Sequence, residues 1–280
     1  MGGALPAVRN LLKVWLVLAG VCGLLGAVGY ALDGYRGLEI LAFGGLLLGV
    51  AVWWSADRLA AGLTGARELV QGEAVGLHST VERLAVRAEV VKPRLYLISD
   101  GFPRALSAGR GGRGSVVAVS TGLLAAATPA EIEGVLAHEI AHLRNRDTIV
   151  QTVAVVVGAA LIELTRVGGW FQRALLFVLG PVAAAFVHLL LSPKRELEAD
   201  RLAAELCGSP HGLADALVRL DQASELIAFQ ANPATEPLYT INPFAEEGLG
   251  ALFSTHPPVE DRVRRLRALD PEWPERLRAA

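Results

Sequence analysis

Two long apolar runs open the chain, residues 14–32 and 38–54, separated by the polar link Asp33-Gly34-Tyr35-Arg36-Gly37. At about 1.5 Å per residue they make roughly 25 to 29 Å of helix, close to the roughly 30 Å hydrocarbon core of a bilayer. The pattern predicts a membrane hairpin. The first run exceeds the apolar core of a cleavable signal, and a second follows at once, so it reads as an anchor. Two further apolar runs, residues 149–164 and 175–191, are joined by a link carrying Arg166, Gly168, Gly169 and Trp170. They predict a second hairpin. Its first arm is short and ends at Glu163, so it either crosses a locally thinned bilayer or forms a re-entrant or core helix.

Between and after these runs the periodicity changes. Residues 77–90 place Val81, Leu84, Ala85 and Ala88 at helical spacing, and residues 94–99 form a short β-rich run after Pro93. Residues 105–108 and 116–120 flank a glycine-rich tip and predict a β-hairpin. The tip satisfies G-x-G-x-x-G at Gly109, Gly111 and Gly114, but the chain continues as a strand where a dinucleotide site needs a helix. It reads as a turn. The expected fold is mainly α with a small β-sheet, an integral membrane protein with transmembrane helical hairpins and a zincin-like catalytic domain. Its expected parts are a membrane hairpin (1–55), a first catalytic part (56–148), a second membrane-associated hairpin (149–192) and a second catalytic part (193–280).

Composition supports this division. Of 280 residues 52% are hydrophobic and 19% charged, and the mean hydropathy is +0.42, too apolar for a purely soluble domain. The 26 basic and 28 acidic side chains nearly cancel, leaving no electrostatic footprint for nucleic acid. Cys22 and Cys207 are too few for a disulfide framework or a thiolate zinc site. Arg9, Lys13, Arg58 and Arg67 flank the first hairpin, against Arg36 alone in its link, which places both ends in the cytoplasm, with Trp53 and Trp54 at the inner interface. Arg144, Arg146, Lys194 and Arg195 against Arg166 and Arg173 give the second hairpin the same orientation.

The chemistry lies in a helix whose start is written in Thr128-Pro129-Ala130-Glu131: an N-cap, a proline at the first position and a glutamate three residues after the cap. This helix carries His138-Glu139-Ile140-Ala141-His142. Residues four apart share a face, so both imidazoles reach one tetrahedral cation, with Glu139 on the same side as base for the attacking water. With 6 histidines in the chain, random order would yield on the order of 0.01 such matches.

A catalytic zinc needs a third protein ligand. His78, His188 and His211 are scattered and read as non-catalytic. Glu196-Leu197-Glu198-Ala199-Asp200 begins a polar helix after the fourth apolar run, and Glu196 and Asp200 share a face. Glu196 is the expected ligand and Asp200 the group that orients a ligand histidine, with Glu198 as the alternative ligand and a solvated acidic helix start as the plain reading.

At these motifs the chain resembles the HtpX-like membrane zinc metalloproteases, relatives of the CAAX prenyl endopeptidases. The resemblance runs from about Arg94 to Leu266. It rests on Pro93-Arg94-Leu95-Tyr96, Val119-Ser120-Thr121-Gly122-Leu123-Leu124, Val135-Leu136-Ala137 leading into the histidine motif, Asn145-Arg146-Asp147, Arg195-Glu196 with Ala199-Asp200, Asn242-Pro243-Phe244, and Ser254-Thr255-His256-Pro257-Pro258 with Arg262. It implies Glu196 as third ligand to one Zn2+ per chain, Asn145 beside the site, His256 and Arg262 near the scissile bond, and a cytoplasmic catalytic domain. Without it, Thr255-His256-Pro257-Pro258 reads as a helix start and Arg262 as a surface charge. Where the family shows Asn-Ala-Phe-Ala on its substrate-facing strand, this chain has Arg104-Ala105-Leu106-Ser107, which bears on substrate docking and not on zinc chemistry.

The expected function is a zinc endopeptidase of the bacterial inner membrane, multi-pass, with membrane or misfolded polypeptides and the lipid bilayer as partners, and no nucleic acid or nucleotide. A substrate would add to an exposed strand edge at Ala105, Leu106, Ser107 and Ala108. Because the histidine helix is expected to run straight through Asp147 into an apolar run, the site should lie at the membrane face. The alternatives are narrow processing of a lipidated C-terminus and a membrane scaffold that uses zinc only structurally.

Overall fold

A computed structural model of the protein describes residues 4–54, 65–109, 112–151, 193–226 and 257–270. Helix α1, Ala4–Trp54, holds both N-terminal apolar runs and breaks at Asp33 (φ −147°, ψ 31°) and Gly34 (φ 56°, ψ −141°). The break falls in the polar link because Gly34 takes a positive φ that side chains disfavour. A Cβ at Gly29 would lie 2.1 Å from the Gly37 carbonyl oxygen, so the two arms touch backbone to backbone. Among the described residues one segment, Gly29–Ala51 (23 residues), is long and apolar enough to cross a membrane, with mean hydropathy 1.3 in its most apolar 18-residue stretch. The expected second hairpin lies outside the described residues, apart from the buried start Ile149-Val150-Gln151.

The described strands form one four-stranded sheet in the order β1-β2-β4-β3: β1 Ala66–Glu68, β2 Arg94–Ile98, β3 Ala105–Gly109 and β4 Ser115–Ser120. β2 and β4 run parallel, whereas β3 pairs antiparallel to β4 with Ala105 opposite Val119 and Ala108 opposite Val116. The hairpin expected around the glycine-rich tip is therefore present, and a strand follows the tip. Helix α2, Val75–Arg87, turns Val81, Leu84 and Ala85 inward. Helix α3, Thr121–Ala126, follows β4 and is capped by the Ser120 hydroxyl, which accepts from the Leu123 amide.

Helix α4, Pro129–Asn145, is the centre of the fold. Its start has the capping box read from the sequence: the Thr128 hydroxyl accepts from the Glu131 amide and the Glu131 carboxylate accepts from the Thr128 amide. Every residue from Gly134 to Leu143 is buried. Sheet, α5 (Pro193–Cys207) and α6 (His211–Leu226) surround it, and Leu95, Val117, Val119, Leu136, Ile140, Leu213 and Leu217 share one apolar core. Helix α7, Val259–Ala268, closes over α5 and α6 with Val263 and Leu266 inward.

Two expectations are corrected here. The histidine helix does not run straight through Asp147. It ends at Asn145, with Arg146 in the left-handed conformation (φ 58°, ψ 30°) as its cap, and a new helical segment starts at Asp147. The strand expected to expose an edge is terminal in the sheet, yet Ala105, Leu106, Ser107 and Ala108 are each at most 1% exposed. The reason is that α4 packs against β3 while Leu106 and Ala108 join Ile98, Val116 and Ala118 in a second apolar cluster.

Candidate metal centre

Both histidines of the HEIAH stretch project from the buried middle of α4, and Glu196 reaches them from the first turn of α5. His138 Nε2 and His142 Nε2 are 3.1 Å apart, and Glu196 Oε2 lies 3.5 Å from the first and 3.6 Å from the second. All three side chains are buried, with 0%, 2% and 2% residual exposure. Glu198, the alternative ligand, is exposed on the opposite side of α5. The helical period decides between them, because a residue two positions from Glu196 points away.

Protonation follows from the outer contacts. His138 Nδ1 lies 3.0 Å from Asp200 Oδ1, and His142 Nδ1 lies 3.1 Å from Asp147 Oδ2. An ionised carboxylate only accepts, so the His142 Nδ1 contact places the proton there and leaves Nε2 of the neutral ring with a lone pair, while His138 Nδ1 stands at ion-pair distance from Asp200 without a hydrogen bond. With both rings neutral and protonated at Nδ1, two ring nitrogens and a carboxylate oxygen converge without a donor among them. Burial alone pushes the His142 imidazole down, but Glu196 and Asp147 outweigh it and raise its pKa to about 10, a site that demands a positive charge.

The spacing fits zinc. The edge of a tetrahedron is about 1.6 times its centre-to-vertex distance, so ligands at about 2.0–2.1 Å from zinc stand about 3.3–3.4 Å apart. Separations of 3.1, 3.5 and 3.6 Å bracket that value. His138, His142 and Glu196 are the three-residue group among the described residues whose ligand atoms lie close enough to share one ion.

Arg262 is the largest fully buried side chain, which corrects its reading as a surface charge. Its Nε donates to Asp200 Oδ2 at 2.8 Å and its Nη2 to Asp200 Oδ1 at 2.7 Å. Burial disfavours both charges of this pair. Even so, Arg262 holds the Asp200 carboxyl down at about 2, and Asp200, then Glu196 and Glu139, raise the guanidinium above its ordinary value. Arg262 Nη2 also lies 3.5 Å from His138 Nε2. Glu139 is buried in α4, between His138 and His142 in sequence.

The remaining expected residues divide as follows. His256, with Asn242, Pro243, Phe244, Ser254 and Thr255, lies outside the described residues. Asn145 ends α4, half-buried, and the group that contacts His142 at this end is Asp147 instead. Arg104 is buried against Asp100, Nη2 to Oδ2 at 2.8 Å. His78 Nε2 faces the Val70 carbonyl and His211 Nε2 lies 3.4 Å from Asp270, both away from the centre. Sequence reasoning places Asp147 and Arg195 among the stretches that carry the resemblance but gives them no role at the site. Asp147 stands five positions after His142, outside the three- and four-residue spacings of a helix face, and its signal is its place in the Asn145-Arg146-Asp147 stretch that carries the resemblance.

Comparison with known proteins agrees with this geometry. Residues 71–270 match peptidase family M48. The chain belongs to that family, and it is a metalloprotease. Curated relatives named protease HtpX homolog are similar over nearly the whole chain of this M48 protease. That of Pelotomaculum thermopropionicum is 37% identical over 278 residues, covering 93% of this chain and 99% of the relative. Those of Persephonella marina and Pyrococcus furiosus are 36% and 35% identical, covering 91% and 92% of this chain and 96% and 95% of the relatives. Among solved structures, the crystal structure of S. mikatae Ste24p is similar at TM-score 0.50 with 17% identity, which speaks for the fold. The match covers 94% of this chain and 66% of that one.

Proposed function

We propose that this M48 protease holds one zinc ion per chain on His138, His142 and Glu196 and acts as an endopeptidase anchored in the bacterial inner membrane. The observation that carries the reading is the convergence of His138 Nε2, His142 Nε2 and Glu196 Oε2 at tetrahedral spacing, with Asp200 and Asp147 beside the two Nδ1 atoms. A bound zinc supplies a Lewis acid that polarises a peptide carbonyl and makes water nucleophilic near neutral pH. Glu139 takes the proton of the attacking water and delivers it to the leaving amine. Arg262 brings a buried positive charge beside His138 that favours the oxyanion, a role the family resemblance shares out between it and His256.

A substrate backbone that added to the terminal strand β3 would first displace what covers Ala105, Leu106, Ser107 and Ala108, since all four are buried. The fixed Arg104 side chain at the head of that strand alters peptide preference relative to an asparagine. Substrates are membrane or misfolded polypeptides, in a quality-control role, and the catalytic part faces the cytoplasm. The length and hydropathy of Gly29–Ala51 support one membrane-crossing segment, and the two apolar runs of the first hairpin with their basic flanks support a multi-pass anchor with that orientation.

The test is bound zinc and casein cleavage by detergent-purified wild type and Glu139→Gln. One zinc in each with cleavage only by the wild type is the expected result. Zinc without cleavage in either would favour a narrow processing protease or a scaffold, and absence of zinc would overturn the proposal.

A further inference from the structure

The two ligand histidines are each backed by a carboxylate, and each carboxylate is in turn faced by a buried arginine: Asp200 by Arg262, and Asp147 by Arg195, whose Nη1 lies 3.9 Å from Asp147 Oδ1. The two sets differ in what they connect. Asp200 and Arg262 lie at His138, whereas Arg195 is covalently adjacent to Glu196, whose Oε2 lies 3.5 Å from His138 and 3.6 Å from His142. His142, Asp147, Arg195 and Glu196 therefore form a closed ring of side chains with one peptide bond in it. Asp147 and Arg195 are 2% and 4% exposed, so their charges act through little water. The backbone is shaped for this ring. Arg146 takes the left-handed conformation, uncommon for a side-chain-bearing residue, and the reversal brings Asp147 back beneath the ring of a histidine five positions earlier.

We infer that Asp147 and Arg195 are positioning residues that set His142 and Glu196 together, so that two of the three metal ligands depend on one buried ion pair. This rests on the metal-site reading above. Asp147 fixes the His142 tautomer and ring angle, and Arg195, held by Asp147, fixes the first turn of α5 from which Glu196 projects. Because Arg195 acts through Asp147, loss of either has the same consequence.

Zinc and cobalt dissociation constants, measured by competition with a chelator on the detergent-solubilised full chain, test this. The variants are Asp147→Ala, Asp147→Asn, Arg195→Met, Arg195→Lys and the double Asp147→Ala/Arg195→Met, with circular dichroism at saturating metal showing that each is folded. Asp147→Ala and Arg195→Met should each weaken binding about 10- to 100-fold, the range for loss of a group that orients a metal ligand. The double variant should be no weaker than the weaker single, because the two act as one unit. Arg195→Lys should recover part of the loss, and Asp147→Asn, which still accepts from Nδ1, should fall in between. Arg195→Met binding as tightly as wild type, or single losses that multiply in the double variant, would overturn the inference alone. A wild type that takes up no metal would overturn the metal-site reading and this inference with it.

Discussion

Asp147 Oδ2 sits 3.1 Å from His142 Nδ1 although the helix that carries His142 has already ended. The contact exists because Arg146 reverses the backbone, and it gives His142 the counterpart of what Asp200 gives His138. Two carboxylates thus hold two imidazoles with their Nε2 atoms facing each other across 3.1 Å, with Glu196 closing the third side. Neutral rings in that arrangement repel until a cation or a proton enters.

Glu139→Gln separates chemistry from binding. The amide has nearly the carboxylate's shape but cannot take a proton, so metal content should stay at one per chain while cleavage falls at least about 100-fold, the low end for loss of a general base. Metal analysis and peptide cleavage on the same sample check it.

The face of α5 decides which glutamate binds. Glu196→Ala should lower metal occupancy sharply, and Glu198→Ala, on the exposed side, should leave both occupancy and cleavage unchanged. Equal losses from the two would mean that α5 is rotated from the orientation described.

Breaking the buried pair should cost stability as well as activity. Arg262→Met leaves the Asp200 carboxylate buried without its two-pronged partner and should lower unfolding free energy by about 3–5 kcal/mol. Asp200→Asn/Arg262→Met should recover part of that loss. Denaturant titration followed by fluorescence at saturating metal would show it.

The start of α4 gives a pH signature remote from the metal. Burial of Glu131 raises its pKa, but Arg219 and the Thr128 amide outweigh it and leave the carboxyl below its ordinary 4.5. A folded-state pKa below the unfolded one contributes stability above about pH 4.5 that is lost as the pH falls through the lowered value. Glu131→Gln should flatten that acid limb, and Thr128→Ala should cost about 0.5–2 kcal/mol at neutral pH through the lost cap. Thermal unfolding between pH 3 and pH 7 distinguishes the two, since the first removes the Glu131 contribution to the slope, whereas the second lowers stability across the range and removes only the Thr128 side-chain share of the shift.

Local rules written in the chain determined a good deal. The cap at Thr128, the helix it opens, the pairing of His138 with His142 at one turn and the choice of a glutamate in a polar helix are short-range facts, and so is the glycine-rich turn between β3 and β4. The break at Asp33-Gly34 was legible as well, because a polar glycine-containing link between apolar runs has one outcome. Tertiary structure decided the rest. That α4 is enclosed on all sides, and not only along one stripe, follows from three layers packing on it. That β3 is buried on both faces follows from α4 on one side and a second apolar cluster on the other. Arg262 looks like any surface charge in a ten-residue helix, and only the approach of α7 to α5 brings it to Asp200, 62 positions away. Asp147 and Arg195 were hidden for the same reason: one needs a left-handed residue to fold back on its own helix, and the other needs a contact between helices far apart in sequence. Spacing pointed to the candidate ligands, and long-range packing brought up the groups that stand beside them.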